Sequence, residues 1–572
     1  NARDVIAGVK QRIAALAGGL PSGVTIQPVY DRSGLIGRAI DTLERTLTEE
    51  SLIVAIVCFV FLLHARSALV AILMLPLGVL AAFLGMRALG LNSNIMSLGG
   101  IAIAIGAMVD AAIVMIENVH KHLERADPAA DRRAVIGAAC REVGPALFFS
   151  LLVITVSFLP VFTLEAQEGR LFEPLAFTKS FAMAGAALLS VTLVPVLALL
   201  LIRGRVPPEA SNPVNRLMIA GYRPIILAVL RHPRATIGAA LVLLAASVLP
   251  AMRLGTEFMP TLDEGTLLYM PTTLPGLSIT QAASLLQKQD RIIRSIPEVE
   301  SVFGKAGRAN TATDPAPTEM FETVINLKPR EQWRPGVTTD SLIAELDQAL
   351  RFPGVSNAWT MPIRARIDML STGIRTPIGI KVFGSDLAQM EQLATRIEAA
   401  VREVPGTASA YAERLTGGYY LDIEPIAQEL ARYGLTTGDV NDTVAAALGG
   451  ETVTTTVEGR RRFGVIVRYP RELRDSPERI AREVLVATMG GAQVPLGQLA
   501  HISIRRGAPA IRTENALLSA YIYVDTRERD LGGYVARARE AIAKQVPMPA
   551  GSYLTWSGQY EYMQRAAARL RL

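Results

Sequence analysis

The chain has 572 residues, of which half are hydrophobic and only 19% charged, and its mean hydropathy is positive. That balance excludes an ordinary soluble protein and fits a membrane protein with a sizeable water-facing part. A net charge of +6 is slight for this length and gives no case for nucleic-acid binding; the two cysteines, Cys58 and Cys140, rule out a disulfide framework or thiolate metal site in the second half.

The chain opens at Asn1 in polar sequence, with neither an initiator Met nor a signal peptide, and reads as a piece of a longer protein. Six apolar segments follow, at roughly 49–65, 68–89, 94–119, 142–163, 176–202 and 235–252. Most reach the span of about 20 residues that a bilayer requires. The stretch "SNPVNRLMIAGYRPIILAVL", about 211–230, predicts an amphipathic helix lying on the membrane surface. After 253 the character changes. Alternating runs such as "GIKVFG" and "YLDIEP" predict strands, and "DLAQMEQLATRIEAAVREV" predicts an amphipathic helix. Strand and helix in alternation imply small α+β or α/β units in water.

Loop charge orients the bundle. The third connection carries Lys121, Arg125, Arg132, Arg133 and Arg141; the fifth carries Arg203, Arg205, Arg216, Arg223, Arg231 and Arg234. The fourth is acidic, with Glu165, Glu168 and Glu173 against Arg170 and Lys179. The positive-inside rule makes the third and fifth connections cytoplasmic, which places the large second half outside. An internal echo supports a repeated plan: "GVTIQPVYDRSGLIGRAIDTL" (23–43) and "GSYLTWSGQYEYMQRAAARL" (551–570) share a Gly, a short strand, a Tyr and a polar helix. The first runs into a membrane helix, so the second is expected to do the same.

One charge stands inside an apolar run. In "GGIAIAIGAMVDAAIVMIEN", Asp110 is flanked by Gly106, Ala107, Ala111 and Ala112. An acid at a helix centre costs about 2.5–3.5 kcal/mol on insertion scales and marks a functional site by default. Small neighbours suit a helix packed among others rather than one facing lipid. Two readings stand: a proton relay, or a structural Asp paired within a static bundle. Glu117 lies two turns on, on the same face, and either extends a proton path or sits at the interface.

At this motif the sequence resembles the heavy-metal efflux branch of the resistance-nodulation-division superfamily. "GAMVDAAIVMIEN" looks like its copper/silver, Cus-type subgroup and lacks the "DFG…VD" form expected of the zinc/cobalt/cadmium subgroup. The likeness continues through "SFLPVFTLEAQEGRLFEPLAFTKSFAMAGAALL", "EGTLLYMPTTLPG", "RIDMLSTGIRTPIGIKVFG" and "ALGGETVTTTVEGRRRF" and covers essentially the whole chain. It implies an α-helical transmembrane bundle with α+β, ferredoxin-like βαβ, periplasmic pore and docking subdomains. On that plan 1–35 ends an N-terminal periplasmic region and 36–252 holds helices two to seven of twelve. Residues 253–410 form pore subdomains with the substrate cleft, 411–505 a docking subdomain, and 506–572 return to the pore and lead into the next helix. The resemblance further implies a multi-pass protein of the bacterial inner membrane, a homotrimer that contacts membrane lipid. A periplasmic adaptor and an outer-membrane channel would be its partners, and "GGETVTTTVEGRRRFGV" its reaching hairpin. The resemblance likewise implies a secondary proton antiporter rather than an enzyme, with no cofactor needed. Asp110 matches the family's proton-relay aspartate.

Cu(I) and Ag(I) are soft ions that prefer sulfur. The second half offers several methionines but a single histidine, His501. In "EMFETVINL" alternation puts Phe321, Ile325 and Leu327 on one face and Met320 on the other with Glu322, a poor place for a core residue and a plausible one for a ligand. For Met270 and Met369 the local pattern decides nothing, since most methionines fill cores. The resemblance supplies the rest: Met270, Met320 and Met369 match its three-methionine site, and Glu264, Glu322, Arg366 and Arg375 would line the same cleft or form an ordinary solvated rim. Met96, Met108 and Met115 match a stepwise methionine path through the membrane. Met108 and Met115 share a helix face, and the segment that would offer Met96 a partner holds no Met there. The resulting expectation is proton-driven efflux of monovalent copper or silver. Its rivals are export of divalent metals, of drugs or lipids, or a proton-driven protein-export accessory.

Overall fold

A backbone in lipid must satisfy its own hydrogen bonds, and long apolar runs do so as helices. The computed structural model describes residues 2–62, 64–127, 130–203, 212–258, 263–308 and 316–570; Arg205 and the side chain of Cys58 lie outside this description. Helix α1 (Ala2–Ala17) precedes α2 (Ser33–Leu62), α3 (Ala65–Ala88), α4 (Ile95–Arg125), α5 (Arg132–Val156), α6 (Ala166–Leu201), α7 (Pro213–Arg231) and α8 (Pro233–Arg253). Among the described residues five stretches are long and apolar enough to cross a membrane: Arg66–Ala88, Ile95–Arg125, Arg132–Thr163, Ala166–Leu201 and Pro233–Ala251. The first of the six expected segments is not among them. It occupies the end of α2, whose described apolar run is short of a full span and follows the charged Arg45, Glu49 and Glu50.

α4 is the central helix. Asn94 caps its start, accepting from the Ser97 amide at 2.8 Å. One stripe of it, including Ile101, Ile105, Met108, Ala112, Met115 and Val119, is fully buried against α3, α5 and α6. The approach is close because small residues line it. A Cβ at Gly100 would lie 2.6 Å from the Leu175 carbonyl oxygen, and one at Gly78 would lie 2.6 Å from the Met108 sulfur. α7, the expected surface helix, buries no residue. Its Asn212 cap ties it to the end of α2 by donating to the Val60 and Phe61 carbonyls at 2.6 and 3.0 Å.

The second half is built from sheets. Strands β1 (Thr266–Tyr269), β3 (Val299–Ala306), β4 (Phe321–Leu327) and β6 (Trp359–Thr360) pair in the order β3-β4-β1-β6, antiparallel throughout. Leu267, Tyr269, Ile325 and Leu327 point into a core shared with α9 (Ile279–Arg294) and α10 (Thr339–Ala349). β2 (Thr272–Thr273) pairs with β5 (Val355–Ser356) beside it. After α11 (Pro362–Thr372) a second sheet holds β7 (Ile378–Gly384), β8 (Thr407–Ala412), β15 (Thr513–Glu514), β16 (Leu517–Thr526) and β17 (Tyr553–Gly558). Its main order is β8-β16-β7-β17, with α12 (Leu387–Arg402) and α17 (Leu531–Gln545) packed on one face. The chain leaves this sheet after β8 and returns to it at β15.

The excursion forms a third unit. β9 (Gly418–Pro425) pairs with β14 (Ala500–Gly507), and β12 (Leu485–Ala487) with β13 (Gln493–Pro495). Their core also takes in α13 (Ala427–Arg432), α14 (Thr437–Val444), α15 (Pro477–Glu483) and α16 (Leu496–Leu499). From it projects a hairpin, β10 (Glu451–Glu458) and β11 (Arg461–Val467), turning at Gly459 with φ +61 and exposed at every residue of both strands. Finally α18 (Gln559–Leu570) returns toward the bundle. Arg565 meets Glu168 at 2.9 Å and Arg569 meets Glu165 at 2.8 Å, so the acidic fourth connection lies on the side of the sheets.

Candidate functional site

β1 has two faces, as alternation demands. Leu267 and Tyr269 enter the main core; Leu268 and Met270 face the other way. There Met270, 1% exposed, meets Ala358 and Ala365, and Leu268, Met320 and Met369 pack against this cluster. Met320 arrives just before β4, in a single antiparallel bridge with Thr272. That places it opposite Phe321, on the side the alternation gave it. Met369 comes from α11, one turn beyond Ala365, and Met320 and Met369 are half-buried. Three thioethers widely separated in sequence therefore gather on one apolar seam. A thioether stays neutral at any pH, so the seam presents soft donors without a charge to desolvate. Among the described residues, no group of three or more His, Cys, Asp or Glu side chains is placed to hold a metal ion.

The charged residues assigned to the cleft divide. Glu264 is 5% exposed, and its carboxylate accepts from the amides of Ile363 (3.0 Å) and Arg364 (3.2 Å) at the start of α11. The N-cap residue itself, Met361, supplies no side-chain bond, so Glu264 caps this helix from 99 residues away. Burial raises its pKa, opposed by those amide bonds. Arg375 reaches Thr272, the bridge partner of Met320, and stacks 4.1 Å over the Tyr523 ring. Glu322 pairs with Lys305 across β3 and β4 at 3.3 Å. Arg366 is exposed.

In the bundle, Asp110 lies on an open side of α4. Ala111 and Ala112 are buried, but Ile103, Gly106, Asp110, Val114 and Glu117 form an exposed stripe along α4. The physical reason is helix geometry: at 100° per residue the small neighbours that follow Asp110 pack against α3, α5 and α6, while Asp110 itself points to the side that none of these helices covers. Glu117 shares the stripe, bound to Lys121 at 2.6 Å. Met108 and Met115 are both fully buried, in successive clusters along α4, and Met96 is half-buried near its start.

Sequence reasoning missed two residues. Asp368, adjacent to Met369, and Gln559, the first residue of α18, are 3% and 1% exposed and hydrogen-bonded at 3.0 Å. The only sequence signal near them is the echo between 23–43 and 551–570, which flagged the lead-in but not its contact.

Comparison with known proteins agrees with this architecture. The model of the AcrB/AcrD/AcrF family matches residues 1–572. The chain is 53% identical to the cation efflux system protein CusA of Escherichia coli K12 and 52% identical to the putative cation efflux system protein SilA of Salmonella typhimurium. It is 33% identical to the cobalt-zinc-cadmium resistance protein CzcA of Cupriavidus metallidurans. Each match takes in the whole chain and 55% of the relative, so the chain spans about half the length of the curated relatives it matches. A crystal structure of a heavy metal efflux pump superposes over 100% of the chain and 57% of that structure's chain, with a TM-score of 0.89 at 30% identity. Helices able to span a membrane, a sheet-rich second half and a family match from end to end together place the chain in the AcrB/AcrD/AcrF family of resistance-nodulation-division proteins, on its heavy-metal, Cus-type branch.

Proposed function

We propose that the intact protein exports monovalent copper or silver ions across the bacterial cell envelope, driven by proton entry. The observation that carries this reading is the gathering of Met270, Met320 and Met369 on one apolar seam. Soft ions bind thioethers, and a neutral site holds them loosely enough to pass them on. The names of the relatives at 52–53% identity speak of cation efflux, which fits. On this reading Glu264 orients the helix that brings Met369, while Arg366 and Arg375 border the cleft. Divalent cargo would favour imidazole and carboxylate ligands, and among the described residues no group of three or more such side chains is placed to hold a metal ion.

Asp110 is the proton carrier. Its stripe on α4 is open, and neutralising the carboxylate would remove a charge from that face and let the bundle repack. Glu117 is tied to Lys121 and serves the helix surface. The strand order of the second sheet supports a ferredoxin-like βαβ pore subdomain, and the exposed β10–β11 hairpin supports docking to an outer-membrane channel within a trimer wrapped by an adaptor. Met320→Ile in the full-length protein tests the cargo. Tolerance of Ag(I) and Cu(I) falls to that of cells lacking the pump while Zn(II) tolerance stays unchanged; unchanged silver tolerance refutes the reading, and lost zinc tolerance favours divalent cargo.

A further inference from the structure

The end of the bundle away from the sheets holds a second gathering of metal-binding side chains. The sheets meet the start of α4, where Ile95 and Leu98 share a cavity with Asp263 and Arg330. At the far end of α4, on the side that loop charge makes cytoplasmic, His120 is 7% exposed and Ser67 of α3 is fully buried. The His120 Nε2 lies 2.6 Å from the Ser67 hydroxyl oxygen, and the His64 Nδ1 lies 2.8 Å from the same oxygen. The two rings meet edge to face with centroids 5.6 Å apart. Two imidazoles thus aim a nitrogen at one buried point. A staple between α3 and α4 explains only half of this, since the Ser67–His120 bond alone would tie the helices. His64 stands at the N-cap of α3, where Ser, Thr, Asp or Asn would cap, and its side chain makes no capping bond. Its ring turns to Ser67 instead, although a hydroxyl has one proton and cannot donate to both rings.

We propose that His64 and His120 form a two-coordinate site for a soft monovalent cation, Cu(I) or Ag(I), at the cytoplasmic end of the bundle, with Ser67 holding the rings when no ion is bound. The inference gives the cargo a second site and rests on the metal-efflux reading for the identity of the ion. Imidazole is a ligand that suits copper, and the number of ligands selects the charge. A divalent ion of the zinc type takes three or four protein ligands. Here there are two, because His122 is engaged with Glu142 at 2.6 Å, and among the described residues no larger group of such side chains is placed to hold a metal ion. A closed-shell monovalent ion is satisfied by two nitrogens in line. Charge points the same way. Arg66, Lys121, Arg125, Arg132 and Arg133 lie in the connections at this end, and beside them one added positive charge on neutral rings costs less than two. The geometry is near what an ion needs. The nitrogens are 2.6 and 2.8 Å from their shared point, against a metal–imidazole bond of about 2.0–2.1 Å, so ring turns that displace the Ser67 hydroxyl close the gap. The ion also has soft neighbours. Ala68 and Val119, next in chain to Ser67 and His120, belong to the buried cluster that holds the thioethers of Met74 and Met115.

The test is titration of the full-length protein with Ag(I) in detergent, with X-ray absorption at the silver edge to read the ligands. With Met320→Ile and Met369→Leu dismantling the sulfur seam, silver still binds, and its first shell is nitrogen alone. Adding His120→Gln, whose amide keeps a hydrogen bond to Ser67, weakens that binding by more than about 10-fold. Ser67→Ala deletes both hydrogen bonds yet leaves the affinity within about 3-fold, an outcome that a mere staple does not give. Zn(II) at the same concentration does not compete. Four results overturn the proposal: silver in the methionine variants held by sulfur or not held at all, affinity unmoved by His120→Gln, affinity lost in Ser67→Ala, or displacement by Zn(II). Should His120→Gln fail to fold, the shell in the methionine variants decides alone, and a shell without nitrogen overturns the site. Failure of the cleft reading shows separately: Met320→Ile and Met369→Leu then leave silver uptake at the wild-type level, while the nitrogen shell and its loss in His120→Gln persist.

Discussion

Met108 and Met369 are the same side chain in two settings. Met108 is fully buried in the bundle, its sulfur seated where Gly78 leaves no Cβ; Met369 is half-buried on α11 at the margin of an apolar seam. Acids divide in the opposite sense. Asp110 of the bundle lies on an open stripe, whereas Glu264 and Asp368 of the sheet region are buried and bonded. Side-chain chemistry therefore does not tell which residues act and which pack. Met108 of the bundle fills space between close helices, whereas Met320 and Met369 of the sheet region are only half-buried. The acid of the bundle faces outward from its half, and the acids of the sheet region position a helix.

The sharpest break of that contrast comes from Asp110→Asn. On the reading that this carboxylate carries the proton, silver-driven proton flux of the full-length protein in proteoliposomes drops to background. Next, Met108→Ala leaves a cavity among α3, α4 and α6 and lowers unfolding stability by about 2–5 kcal/mol, visible as a lower midpoint in detergent. Met369→Leu preserves volume, so it changes stability by less than about 1.5 kcal/mol. Calorimetric titration of Ag(I) should nonetheless show weaker binding by about 10-fold, as expected when one soft ligand of three is removed.

The smallest effect is a pH dependence at Asp368. Burial pushes its carboxyl up to about 6, against the Gln559 hydrogen bond and the Arg364 charge, which pull it down. The folded state thus holds this proton more tightly than the unfolded chain, whose Asp titrates near 3.9. Its stabilising contribution is complete below about 3.9 and is lost as pH rises through about 6. Asp368→Asn should therefore raise the midpoint at pH 8, by of order 1 kcal/mol in stability, and the gap should close toward pH 4. A gap independent of pH would show that the carboxylate is not the cause.

How much of this could be read beforehand follows the range of each interaction. Membrane helices announce themselves by local composition, and strand alternation gave Met320 its face because the period of two is local. The seam could not be found from spacing, since β1, the bridge at Met320 and α11 meet only after three loops close. Family resemblance, not periodicity, singled out Met270 and Met369. The cap on α11 is equally non-local: a helix beginning Met-Pro has no capping side chain of its own, and nothing near it in sequence names Glu264 as the donor's partner. The small residues beside Asp110 mark a helix that packs closely, and Ala111 and Ala112 are indeed buried. Which element meets the face of Asp110 itself is not a local property and has no signal in the residues around it.

The β10–β11 hairpin carries a consequence of its own. Val453, Val457, Phe463, Val465, Ile466 and Val467 are all exposed on it, and a lone two-stranded ribbon is marginal in water. Such a ribbon is the first part of the chain a protease would nick, at the Gly459 turn, and greasy enough to glue stray copies together. Shielding of that turn against limited digestion thus becomes a direct gauge of whether the tip has found its seat.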